Sequence, residues 1–211
     1  GIRDSSVTGV QTCALPIYRS WEITLDDSQR EAITSAVRHA RAAGCSAATV
    51  GRETFPLPTL EHDLARWTHE LSLGRGFLLL HRFPVDLLSA DDTELAWVGL
   101  GTHLGRPIGQ NKAGDHLVHI RDERLGPTAG KVRLYRTRER QDFHTDGADI
   151  IGLLCLHRAL RGGESRIVSS HAIYNEMLRS RPDLLEQLYQ PFWWDSQDEQ
   201  APGEQIGRAH V

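Results

Sequence analysis

Long apolar runs, an excess of basic charge and cysteine are all scarce in this chain. Its longest apolar stretch, 150–156, already includes Gly152. That is far below the ~18 residues that a membrane-spanning helix needs. Lys and Arg number 24 against 28 Asp and Glu, a formal net charge of −4, so there is no basic excess to meet nucleic-acid phosphates. The three cysteines include no C-x-x-C pair, which excludes a disulfide framework. Outside the first seventeen residues only Cys45 and Cys155 remain, and two isolated thiols fit a reducing cytoplasm. No internal repeat, low-complexity tract or flexible linker is present. What is left is a soluble chain of one-domain length, able to bury roughly 70% of its surface.

The two ends carry no periodic pattern, and the genetic code offers a reason. Residues 206–211, IGRAHV, can be encoded ATC GGA AGA GCA CAC GTC, whose reverse complement is GACGTGTGCTCTTCCGAT. Shifted in frame and slightly extended, CAG ACG TGT GCT CTT CCG ATC encodes residues 11–17, QTCALPI. Opposite strands of one oligonucleotide therefore encode both ends, and that oligonucleotide resembles a common sequencing-library adapter. Residues 1–17 and 206–211 are expected to be adapter-derived, with residues 18–205 forming an incomplete domain. A signal peptide is the rival account, but Thr8, Gly9, Gln11 and Thr12 interrupt its apolar region and no A-x-A-like site follows. Without Arg3, Asp4 and Arg208 the formal charge moves from −4 to −5.

Helices dominate the first half. A capping box of Ser28 and Glu31 precedes Ile33, Ala36, Val37 and Ala40 at helical spacing, and Gly44 stops the run. Leu60, Leu64, Trp67 and Leu71 form the stripe of a second helix with Gly74 as its stop. GFLLLHRF, 76–83, reads as a buried strand closed by Pro84, and 89–104 as a capped helix ending at Gly105. From Arg106 the pattern changes to short strands, HLVHI (116–120), KVRLY (131–135), DIIGLLCL (149–156) and SRIVSS (165–170), the last two flanking a Gly162–Gly163 turn. Two helices divided at Pro182 follow, then PFWWD as a strand.

The chemistry lies in FHTDG, 143–147. On an extended segment His144 and Asp146 project to the same side, so an imidazole nitrogen and a carboxylate oxygen can converge on one cation. Two histidines and one carboxylate with open positions opposite suit a non-heme Fe(II) oxygenase. Gly147 would let the backbone come close to a bound group. Taken alone, such a pair is more often an ordinary turn or surface pair.

Context raises it. GRGFLLLHRFPV, LGRPIGQN, FHTDGADIIGLLCL, GGESRIVSS and NEMLRSRPDLLEQLYQPFWWD stand in an order and spacing that resembles the taurine dioxygenase-like family of iron(II)- and 2-oxoglutarate-dependent oxygenases, which includes 2,4-dichlorophenoxyacetate dioxygenase. The resemblance covers residues 21–205. It implies an α+β fold with a double-stranded β-helix (jelly-roll) core and flanking helices. It also implies Fe(II) as cofactor, 2-oxoglutarate and O2 as cosubstrates, and hydroxylation of a small organic substrate; the charge balance and short apolar runs point to neither nucleic acid nor membrane as partner.

Carried over by position, His144 and Asp146 are the first two iron ligands, and the Ser165 hydroxyl falls where the family meets a 2-oxoglutarate carboxylate. The family's third ligand is a histidine on the order of a hundred residues further on, followed by an arginine that pairs bidentately with the far carboxylate. Neither position exists in this sequence, and His157 and His171 lie too close to serve. The fragment is therefore expected to bind Fe(II) poorly, to be inactive, and to leave sheet edges unpaired. Asn111 and Arg140 are candidate substrate-facing groups, although a turn amide and a solvated charge are the blander accounts. Arg140 stands where taurine dioxygenase has asparagine, which puts taurine as substrate in doubt. Trp193 and Trp194 read as core and rim aromatics. Two rival functions remain: a non-catalytic jelly-roll binding module, and a hydrolase using His144, Asp146 and Ser169 or Ser170. The second lacks a G-x-S-x-G elbow.

Overall fold

The computed structural model describes residues 21–111, 113–124, 134–193 and 208–209. Most of the expected adapter-derived residues, the start of KVRLY, and Trp194 lie outside them. The chain forms two compact units, Tyr18–Leu156, and His157–Val211 with Gly1–Ile17.

In the first unit β1 (Glu22–Thr24) pairs in parallel with β2 (Leu79–His81), Glu22 opposite Leu79 and Thr24 opposite His81. Leu79 is 37% exposed, so the expected buried strand is a short strand with an open face. Two strands cannot cover both faces as a larger parallel sheet does.

The helix α1 (Asp27–Ala42) starts two residues before the expected box. The Asp26 carboxylate accepts from Gln29 N–H at 2.8 Å, and the Gln29 side-chain oxygen accepts from Asp26 N–H at 2.9 Å. Asp26 and Gln29 meet the same spacing rule as Ser28 and Glu31 and do so earlier, so the helix nucleates there. Glu31, freed from capping, pairs with Arg38 at 2.6 Å. At the other end Gly44 adopts φ +75°, a left-handed stop that glycine enters without steric penalty.

After a short 3₁₀ turn at Pro58–Leu60, α2 (Glu61–Ser72) follows without a side-chain cap. It is tied to α1 by Gln29 Nε2 donating to Asp63 at 2.6 Å. The helix α3 (Ala90–Leu104) is capped by Ser89, whose hydroxyl accepts from Asp92 N–H, and ends at Gly105. Leu25, Ile33, Phe55, Leu60, Trp67 and Leu95 fill the core between these elements, each no more than 1% exposed. Burial of each such large side chain contributes about 1.5–3 kcal/mol.

Between Leu104 and residue 157, the described residues contain only a 3₁₀ turn, Leu134–Arg136. The strands expected at 116–120 and 149–156 are absent. Apolar composition makes a segment eligible for a sheet, but a strand exists only through hydrogen bonds to a neighbour. The nearest approach is a tie in which Arg121 N–H donates to the Tyr135 carbonyl at 3.2 Å and Glu123 N–H to that of Arg136 at 3.0 Å.

In the second unit α4 (Ser170–Ser180) is capped by Ser169, and α5 (Pro182–Leu188) opens on its proline. The strand expected at 165–170 is replaced by an irregular segment that ends in this cap, because a serine hydroxyl beside free helix N–H groups is better used there. Gly162 and Gly163 have φ +70° and +72°, giving the expected turn. β3 (Phe192–Trp193) and β4 (Arg208–Ala209) form a two-residue antiparallel pair. No helix among the described residues is long and apolar enough to cross a membrane.

Candidate functional site

The His144 and Asp146 segment is neither helix nor strand. It is approached through Arg136, whose Nη2 and Nε donate to one Glu123 oxygen at 2.6 and 2.9 Å. These bonds hold the Glu123 carboxyl below the usual carboxylate range. Together with the two backbone bonds to 135 and 136, they fix where the site segment begins.

Within the segment, local hydrogen bonds orient the imidazole. His144 Nδ1 lies 2.8 Å from the Asp142 carbonyl oxygen. A carbonyl only accepts, so Nδ1 carries a proton, and in the neutral ring Nε2 presents its lone pair. That lone pair is 3.2 Å from the Gln141 amide nitrogen and 3.7 Å from Asp146 Oδ1. The His144 and Asp146 side chains are 47% and 54% exposed, so both are open to solutes. An Nδ1–H anchored on a carbonyl, with Nε2 turned toward a carboxylate, is a common second-sphere arrangement for a metal-binding histidine. The donor set therefore fits a hard or borderline divalent cation such as Fe(II) at two positions. No group of three His, Cys, Asp or Glu side chains able to hold a metal occurs among the described residues.

Arg140 lies next to this pair in sequence. Its Nε is 3.6 Å from Asp142 Oδ1 and both side chains are mostly exposed, a geometry worth about 0–1 kcal/mol. Asn111 is engaged elsewhere. Its Oδ1 accepts from Ala113 and Asp115 N–H at 3.0 and 3.2 Å, and its Nδ2 donates to Asp115 at 2.8 Å. Those bonds close a turn in which Gly114 has φ +80°. Ser165 is exposed and belongs to the second unit.

Gln141 and the Asp142 carbonyl, which orient His144, were not singled out from sequence. A backbone carbonyl leaves no signal in residue identity. Gln141 carried only its position three residues before the histidine.

Comparison with known proteins brings in a wider frame. A family model described as "Taurine catabolism dioxygenase TauD, TfdA family" matches residues 39–210, a span that includes all five candidate residues. The chain is 33% identical to FR-33289 synthase of Streptomyces rubellomurinus over 185 residues, 87% of this chain and 55% of that protein. It is 28% identical to the taurine hydroxylase-like protein SAT17 of Stachybotrys chartarum over 181 residues, 82% of this chain and 47% of that protein. The chain thus spans about half the length of the curated relatives it matches.

Proposed function

Because the chain belongs to the taurine catabolism dioxygenase TauD, TfdA family, we propose that its parent protein is an Fe(II)- and 2-oxoglutarate-dependent dioxygenase that hydroxylates a small organic substrate. The observation that carries this reading is the His144 and Asp146 pair, with Nδ1 held on the Asp142 carbonyl and Nε2 turned toward a carboxylate oxygen 3.7 Å away. His144 Nε2 and an Asp146 oxygen would hold the metal. Bound there, iron would supply the site at which 2-oxoglutarate decarboxylation is coupled to O2 reduction.

The protein's own residues supply orientation and charge. The Asp142 carbonyl keeps the proton on Nδ1, so His144 needs no rotation to present its lone pair. Gln141 donates to the same lone pair and would have to yield it to a cation. The Asp146 carboxylate would neutralise one of the two positive charges. In this reading the Ser165 hydroxyl donates to a 2-oxoglutarate carboxylate, and Asn111 and Arg140 face the substrate. The core completed by the parent would be the jelly-roll of the family, enclosing the third iron ligand and the arginine that this sequence does not carry. Residues 1–17 and 206–211 are adapter-derived in the same account, which the nucleotide sequence at the two ends tests.

Anaerobic Fe(II) titration by calorimetry, with succinate release assayed separately, tests the reading. The 211-residue chain should bind Fe(II) weakly, His144→Ala should reduce that binding further, and no succinate should form. A longer chain from the same gene should release succinate only with Fe(II), 2-oxoglutarate and O2 together. Succinate-free behaviour of the longer chain would favour a binding module instead. Activity that survives iron chelation would favour a hydrolase.

A further inference from the structure

A groove of about 550 Å³ on the first unit has no carboxylate among the described residues of its walls. It runs between the 50–52 loop and the end of α3, and its polar lining includes Arg52, Thr102, His103, Arg106 and His116. In a chain with more acidic than basic residues, a pocket with cationic and neutral walls alone stands apart. It shares no lining residue with the His144 and Asp146 site.

Two further observations point to a ligand. Among the described residues, Arg52 and Arg106 are exposed and form no ion pair with a carboxylate, which leaves both guanidinium groups available to a ligand. The Nδ1 atom of His116 is buried and lacks a hydrogen-bond partner among the described residues, which a buried polar atom normally finds. His103 is held in place: its Nε2 donates to the Phe55 carbonyl at 2.7 Å. The carbonyl end of α3 carries partial negative charge, so any affinity for an anion has to come from the guanidinium groups. Those groups present planar forks matched to carboxylate and phosphate oxygens.

We propose that this groove binds a small oxyanion, of the carboxylate or phosphate class, through Arg52 and Arg106, with the His116 side chain forming part of its wall. The inference goes beyond the oxygenase reading and does not depend on iron. Its test uses the full 211-residue chain without metal, at fixed pH and ionic strength, following histidine imidazole signals by NMR. Inorganic phosphate and succinate are the two probes, with chloride as the control.

Saturable shifts of His103 and His116 with either probe are expected, at a Kd of about 1 mM or tighter, while His62 and His69 on α2 stay unmoved. The stronger probe identifies the class. The double variant Arg52→Gln/Arg106→Gln should weaken binding by about tenfold or more, as expected for losing charge-assisted hydrogen bonds. Arg38→Gln, an exposed arginine elsewhere on the same unit, should leave it unchanged. Absence of saturation, an equal response to chloride, or equal weakening by Arg38→Gln would overturn the proposal.

Discussion

At the scale of single residues, hydrogen bonds decide what each ionisable group can do. Asp92 is one such group. Its carboxylate accepts from Arg41 at 2.7 Å and from the Ser89 hydroxyl at 2.9 Å. Chiefly the Arg41 bond, then the Ser89 bond, holds its pKa below the ordinary value of 3.8. A depressed carboxylate stabilises the fold fully above the unfolded value and loses that contribution as pH falls through the folded one. Asp92→Asn should therefore lower the unfolding free energy measured by urea titration at pH 7 by about 0.2–1 kcal/mol, as for a partly exposed pair. The difference between variant and parent should shrink below pH 3.8. An undiminished difference there would refute this account. The same logic explains the legibility of the candidate site. His144 and Asp146 were readable because their chemistry is in their side chains. The tautomer of His144 depends on the Asp142 carbonyl, which every residue type possesses.

Elements differ in how much of their cause is local. The helices α1 to α5 are legible because caps, stripes, stops and prolines lie within a few residues of each other, as with Ser89, Leu95 and Gly105. Even so, the start of α1 moved to Asp26, since DDSQRE contains two overlapping capping pairs. The segments 116–120 and 149–156 show the opposite case: their apolar residues were visible, but partners for a ladder are a non-local property. Packing is equally non-local at Gly99. A Cβ added there would lie 2.5 Å from the Phe55 ring, and that ring is fully buried. The gain in helix propensity from Gly99→Ala, about 1 kcal/mol, should be outweighed by overpacking of about 1–3 kcal/mol. Thermal unfolding should show a lower midpoint for Gly99→Ala. A raised midpoint would mean that Phe55 moves aside freely. Ser89→Ala, by contrast, removes a cap without a clash and should cost about 1 kcal/mol, measurable by the same melt.

On the scale of the whole molecule, apolar surface is poorly matched to cover. Leu160, Leu153 and Phe143 are 99%, 65% and 61% exposed. Ile173, Tyr174, Leu178, Leu184 and Leu188 on α4 and α5 are exposed as well, with Leu185 the one buried residue of that helix pair. Each described sheet has two strands, so among the described residues no third strand covers its edges, and open edges favour association. A single exposed leucine needs no explanation, but large apolar area on a monomer is an association or aggregation surface. The chain should therefore enhance the fluorescence of 8-anilinonaphthalene-1-sulfonate in native buffer. In sedimentation velocity it should shift to larger species as its concentration rises. Replacing Leu160, Leu153 and Phe143 together by serine should weaken both responses while leaving helical circular dichroism unchanged, because none of the three belongs to the buried core. A strictly monomeric chain that ignores the dye would show that these side chains find cover in solution.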